Sequence, residues 1–447
     1  MPSDSRSGAT LPETVIVATP KNSFRAPWSI FWVGFVVRAL YVLIARTYHY
    51  RPYDDHFGFA WEMGRIARAL VTGYGYSDPF RGHTGPTAWT APVTPLILAA
   101  IFKMFGVYTN ASALAATLLN CFFSALTARN TWEIAARCFN QRVARWSGWL
   151  WALYPAAMQY SVRWLWEMNL TVLLFTWILV LALRLRGIGG EVSEVDRLRL
   201  WLAFGLSWGV LALNNPALTV LLPVTGLWVL VGLIRSGGNW AWPVRGATLA
   251  GVVCLLCLAP WLGRNWLVFH KFVPMRSNFG VELYLGDGPG TNGLLIEYLH
   301  PVRDPQQFRL YQQMGELAYS DYRGKLAKDF IRQYPGLFLK STLKRVYFFW
   351  AGVPPPADYP WYVEAGRGLN FAFTSLAGLL GLGLALRRRV PGAWLFAGAF
   401  LFYPVTYYLV MALARFRHPL EPLITILAVY LFQSASRKRI DQRAVAR

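Results

Sequence analysis

Four acidic residues stand where an ionised side chain needs a reason. Asp54, Asp55 and Glu62 follow the first long apolar run, and Glu167 opens a later one, SVRWLWEMNLTVLLF. Carboxylates can take a proton from a nucleophile, and an ionisable group at the end of a membrane helix is costly to bury and a functional candidate by default. Arginines hold comparable positions. Arg264 closes one apolar run, while Arg415 and Arg417 stand just before another, followed by His418 and Pro419. A guanidinium suits planar, multidentate contacts to phosphate-like anions. Each residue also has a plainer reading. Asp is common in exposed turns. Glu62 can pair with Arg65 one helical turn on, and Glu167 with Arg163 one turn back. Arginines at span ends anchor helices at the interface, and His418 before a proline suits a hydrogen bond at a helix start.

The elements that must carry these groups are apolar. Of 447 residues 55% are hydrophobic and only 15% charged, too apolar a balance for a soluble domain of this length. The 21 Trp suit the belts where amphipathic rings meet lipid headgroups. A net charge of +22 would suit nucleic acid on a soluble basic face. Here the Lys and Arg lie mostly in short loops between apolar runs, where they set topology, and a nucleic-acid partner is set aside. Cys254 and Cys257 form a C-x-x-C within VVCLLCLAP, with no second ligand pair. They read as small hydrophobes on a membrane helix, so no metal ligands are assigned. Asn214-Asn215-Pro216 reads as a turn, and no internal repeat is apparent.

Runs long enough to cross a bilayer fall at 28–46, 111–133, 145–162, 168–186, 199–214, 217–235, 246–263, 368–386, 393–412 and 419–434. The stretches 91–106 and 336–352 are ambiguous, and the positive-inside rule arbitrates. With both left out and the N-terminus inside, the groups Arg129–Arg145, Arg184–Arg199, Arg387–Arg389 and Arg437–Arg439 all fall on the inner side. Both stretches are therefore expected to lie along the membrane surface; KSTLKRVYFFW, with cations beside an aromatic face, fits this. The expectation is an all-α polytopic membrane protein of about ten transmembrane helices, with both termini cytoplasmic and no cleaved signal peptide. Residues 1–27 form a cytoplasmic tail and 28–263 an N-terminal membrane module containing a first external loop, 47–110. Residues 264–367 form a second external segment with surface helices, 368–434 the last spans and 435–447 a basic tail. Within the first loop, Phe59, Met63, Ile66 and Leu70 make an apolar helical stripe over 57–71, ended by Gly73-Tyr74-Gly75. A helix of about twenty-five residues is expected from Asp304-Pro305.

The order of these features resembles the GT-C glycosyltransferases. A first span, an acidic pair, a helix ending in a Gly turn and a P-x-x-P-L…FG helix look like their first external loop. The likeness continues through Pro155…Glu167, Pro260-Trp261…Arg264-Asn265 and SNFGVELYLGDGPG (277–290), and ends in Arg415-Phe416-Arg417-His418-Pro419. The branch it looks most like is the protein O-mannosyltransferase and aminoarabinose-transferase clan (glycosyltransferase family 39-like).

The resemblance implies an inverting transfer of a sugar from a polyprenyl-phosphate donor to a hydroxyl on a lipid, glycan or protein, at the non-cytoplasmic face. That reaction needs a carboxylate to take the acceptor proton and cations to stabilise the departing lipid phosphate. Asp54, Asp55 and Glu62 are all open as the base; none stands at the family's spacing from Gly73, and Asp55 is narrowly favoured. Glu167 is the second acidic position. Arg264, Arg415 and Arg417 are candidates for the donor phosphate, and Asn278, Asp287 and His418 for substrate contacts. The stretch Gly286-Asp287-Gly288-Pro289-Gly290 reads as a flexible loop, since it lacks the Lys-Ser/Thr ending of a nucleotide loop. No cofactor is called for; a divalent metal is compatible with the reaction but indicated by no ligand pattern. The competing readings are a flippase of lipid-linked glycans and a non-catalytic relative of the enzyme fold. A flippase would be expected to carry charges deep in its spans and inverted repeats, and here Arg38 is the exception among charges that sit at span ends.

Overall fold

The computed structural model describes residues 25–237, 240–294, 296–353 and 360–445. The tail ahead of residue 25 lies outside the described residues. The regular elements of the described chain are all helices, apart from one isolated bridge between Ser77 and Pro86.

The first half runs α1 (Arg25–Ala45), α2 (Trp61–Val71), α3 (Val93–Phe105), α4 (Asn110–Cys138), α5 (Gln141–Leu153), α6 (Pro155–Arg163), α7 (Met168–Leu185), α8 (Glu194–Ala212), α9 (Leu221–Arg235) and α10 (Ala241–Phe269). The second half runs α11 (Phe279–Asp287), α12 (Pro305–Met314), α13 (Glu316–Gln333), α14 (Pro335–Ala351), α15 (Trp361–Arg387), α16 (Ala393–Phe402), α17 (Val405–Leu409) and α18 (Glu421–Val445). Side-chain caps open several of them: the Thr109 and Asn140 oxygens accept from the backbone N–H of Ser112 and Val143, and Asp304 accepts from Gln306.

Among the described residues six helices are long and apolar enough to cross a bilayer: Pro27–Ala45, Asn110–Cys138, Met168–Leu185, Pro216–Arg235, Ala241–Phe269 and Trp361–Arg387. The protein is an integral, multi-pass membrane protein. Two of the expected spans are interrupted. The run 145–162 breaks at Tyr154-Pro155 between α5 and α6, and 393–412 breaks at Tyr403-Pro404 between α16 and α17. The cause is the same: proline supplies no N–H to the helix ladder and crowds the preceding turn. The ambiguous stretches form α3 and α14. The helix expected from Asp304 is split by Gly315 (φ +76°) into α12 and α13.

The main core gathers α7, α8, α16, α18 and the later part of α4 around Phe175, Trp201, Trp208, Phe396 and Leu423, all fully or nearly fully buried. A second cluster packs Phe59 and Met63 beside α2 and α3, with Leu98 and Phe102, against the start of α4. A third joins the 47–110 loop to the 264–367 segment through Phe80, Trp89, Val281, Leu285, Tyr311 and Tyr319. Here α11 and α13 cross so closely that a side-chain carbon on Gly280 would collide with the carbonyl of Ser320. Of Gly286–Gly290, read as a loop, Gly286 and Asp287 form the end of α11, whose Val281, Leu283 and Leu285 are buried in this cap, while residues 288–290 lie beyond the helix.

The helix α7 fixes the sides of the molecule. Glu167 precedes its first turn and Arg184 lies in its last, and eighteen residues at 1.5 Å per residue separate its ends by roughly 27 Å.

Candidate active site

A cavity of about 850 Å³ lies at the Glu167 end of the bundle. Its walls come from the start of α2, the Trp164–Glu167 elbow between α6 and α7, α11 with the residues before it, and the stretch from Thr406 to Phe416. Three carboxylates line it: Glu62, Glu167 and Glu282. So do Arg276, Arg303, Arg415 and His300.

Burial raises Glu62 to about 7, and the nearby charge of Glu282 adds to the rise, while Arg65 and Arg276 oppose it. His300 Nε2 stands 3.9 Å from Glu62 Oε1. The imidazole Nδ1 accepts the Val302 backbone N–H at 3.2 Å, which leaves Nε2 as the protonated nitrogen facing Glu62. Burial lowers His300 to about 4, with Arg303 adding to the fall, so it is neutral near pH 7. Glu167 is raised by burial, with Arg276 and Arg415 opposing, and its Oε2 is buried with no hydrogen-bond partner among the described residues. Arg163, a turn earlier, donates instead to the Tyr41 hydroxyl at 2.8 Å, so the i−4 pair does not form. Glu282 is also raised by burial against the same two arginines, and accepts from Asn278 Nδ2 at 2.7 Å.

The two arginines keep donors unspent. Among the described residues Arg276 gives only Nε, to the Trp89 carbonyl at 3.0 Å. The Arg415 side chain donates no hydrogen bond to any described residue. It lies instead 4.1 Å over the Trp166 ring. Trp166 in turn packs on Trp61 at 4.2 Å between centroids, and Trp61 stacks on Trp164 at 5.3 Å. This ladder joins three distant pieces of sequence: Trp61 precedes Glu62, Trp166 precedes Glu167, and Arg415 ends it. Guanidinium on indole is held by the ring's negative face, which leaves the in-plane N–H groups free for an anion.

Of the positions singled out from sequence, Glu62, Glu167, Arg415 and Asn278 line this one cavity. The others do not. Asp54 pairs with Arg81, and Asp55 with Arg68 at 2.8 Å and Arg65 at 3.6 Å. Arg65 thus serves Asp55, and also the Asp54 carbonyl at 2.6 Å, rather than Glu62. The acidic pair clamps the left-handed turn at Asp54–His56 (φ 52°, 51° and 58°) onto α2. Arg264 ties the first loop to α10, donating to the Thr87 and Tyr76 carbonyls at 2.7 Å each. Arg417 is buried against Phe371, bonded to Ser375 Oγ at 2.6 Å and paired with Glu421 at 3.5 Å. His418 shares that Glu421 at 2.9 Å. Asp287 is buried on Arg345 at 2.8 Å and closes α11.

Sequence reasoning missed Arg276, Glu282, His300 and Arg303. Glu282 carried a signal, an acid inside the apolar VELYL. Arg276 and His300 sit in ordinary loop sequence and carried none. Among the described residues no group of three or more metal-ligating side chains is gathered.

No family model matches the sequence, and no curated protein matches it. Solved structures do. The apo oligosaccharyltransferase of Archaeoglobus fulgidus matches with TM-score 0.54 and 12% identity, over 95% of this chain and 52% of that one. The same enzyme tethered to an acceptor peptide with the NVT sequon matches with TM-score 0.51 and 13% identity, over 95% and 51%. ArnT from Cupriavidus metallidurans bound to undecaprenyl phosphate matches with TM-score 0.40 and 15% identity, over 90% and 78%. The chain has the GT-C glycosyltransferase fold, as the oligosaccharyltransferase match shows, and spans about half that enzyme's length.

Proposed function

We propose that the protein is an inverting glycosyltransferase, moving a sugar from a polyprenyl-phosphate donor to a hydroxyl on a lipid, glycan or protein. The bundle has about ten membrane passes, and the cavity opens on the non-cytoplasmic side. What carries this reading is one cavity holding a carboxylate poised near neutrality beside two arginines with unspent donors.

The acceptor hydroxyl gives its proton to the Glu62 carboxylate as its oxygen attacks the anomeric carbon. The bond from that carbon to the phosphate oxygen breaks, and its electron pair leaves with the lipid phosphate. Arg415 and Arg276, with donors already in place, take up that charge as it develops. His300, neutral and with its Nε2–H facing Glu62 at 3.9 Å, stands beside the carboxylate. Glu167 and Glu282, lining the same cavity, accept sugar hydroxyls. Glu62 thus takes the role for which Asp55 was narrowly favoured, because Asp55 is spent on Arg68 and Arg65.

The test uses the purified protein in lipid nanodiscs with a panel of polyprenyl-phosphate sugars, reading release of lipid phosphate. Glu62→Gln should lower turnover by about 10²–10⁴-fold, the usual worth of a positioned general base, with donor binding retained. Full activity in that variant would remove Glu62 from the reaction. Binding without release across donors and acceptors would favour the non-catalytic reading.

A further inference from the structure

At the other end of α4 and α7 lies a charged group the transfer reaction does not use. Glu133, on α4, is nearly buried and is met by three arginines. Arg184 of α7 donates to Oε1, through Nε at 2.9 Å and also through Nη2. Arg137 donates to the same oxygen at 3.0 Å and 3.2 Å, and through Nη1 to the Ile188 carbonyl at 2.9 Å. Arg129 reaches only to 3.8 Å of Oε2, and its Nε is buried with no partner among the described residues. Three cations against one anion leave two positive charges uncompensated at the edge of a low-dielectric bundle, a costly arrangement unless another anion completes it.

The surroundings say what kind of anion fits. Glu133, Arg129, Leu126 and Phe122 lie on one helical stripe of α4 that the bundle leaves partly open, with Phe122 40% exposed. Helices α1 and α7 pack along α4 on either side. Each sets an indole beside the cations: Trp28 under Arg129 at 5.0 Å and Trp177 under Arg184 at 5.8 Å. An apolar track ending in guanidiniums between two indoles matches a lipid with an acyl chain above and an anionic headgroup below.

We propose that this groove binds one inner-leaflet phospholipid with an anionic headgroup. Its phosphate would be held by Arg129 and by the unengaged Nη1 of Arg184, and an acyl chain would lie along Phe122 and Leu126. The proposal rests on the membrane orientation and not on the transferase reading.

Native mass spectrometry of the detergent-purified protein tests it, with phosphatidylglycerol, phosphatidylcholine and inorganic phosphate as separate probes. One phosphatidylglycerol should stay bound under activation that strips phosphatidylcholine. Arg129→Gln, which removes the long contact to Glu133 and the packing on Trp28, should weaken retention about tenfold, as loss of one charge-assisted contact does. Arg184→Gln should do the same if it folds. Arg142→Gln, an exposed arginine on α5, should leave retention unchanged. Equal retention of the two lipids, unaltered retention in Arg129→Gln, or inorganic phosphate displacing phosphatidylglycerol at matched concentration would overturn the proposal.

Discussion

Glu62 couples the pH dependence of activity to that of stability, with opposite signs. Its folded value of about 7 lies above the usual 4.5. The folded state therefore holds a proton that the unfolded chain has lost between those values. The stabilising contribution is complete below pH 4.5, declines as pH rises, and is gone above 7. A base must be ionised, so turnover should rise over the upper part of the same window. Measuring kcat/KM and thermal stability from pH 5 to 8 should show the two moving in opposite directions, and Glu62→Gln should flatten its share of the stability slope. Glu167→Gln should lower turnover and leave folding intact, since its Oε2 has no partner to lose. A fully active Glu167→Gln would take that residue out of the site.

At the scale of elements, the rings set the site's geometry. The ladder from Trp164 through Trp61 and Trp166 to Arg415 spans α2, the α6–α7 elbow and the turn before α18. Replacing Trp166 by Leu should loosen Arg415 and raise KM for the lipid donor about 3–30-fold, the range of a buried cation–π contact. Trp166→Phe should recover most of that loss, which a general packing defect would not show. Proline accounts for two of the breaks between helices: α5 and α6 are two pieces of one apolar run, as are α16 and α17, and the elbow after α6 is where Glu167 enters the cavity.

At the scale of the molecule, the two ends of α7 carry opposite chemistry, acids with unspent arginines at one and the arginine-clasped Glu133 at the other. The orientation predicts that a cysteine at the exposed Lys340 reacts with a membrane-impermeant maleimide from outside intact cells. One at Arg388, in the inner basic group, should react only after permeabilisation. The reverse pattern would invert the topology and with it both sites.

Composition and periodicity were enough for the membrane class and the helical content. Hydropathy and charge bias act through local sequence and through the bilayer itself. Glu62, Glu167 and Arg415 came into view because a charge near the edge of an apolar run is conspicuous, and Asn278 through the SNFGVELYLGDGPG motif. Which charges meet was decided only by tertiary contacts. Asp55 and Glu62 are alike in sequence, yet one is spent on Arg68 and the other faces the cavity. Arg417 and Arg415 stand two residues apart, yet one is buried on Phe371 and Glu421 while the other lies over Trp166. Arg417–Glu421 is a local i,i+4 pair, but the contacts to Phe371 and Trp166 that separate the two arginines come from residues tens to hundreds of positions away, which no local pattern records.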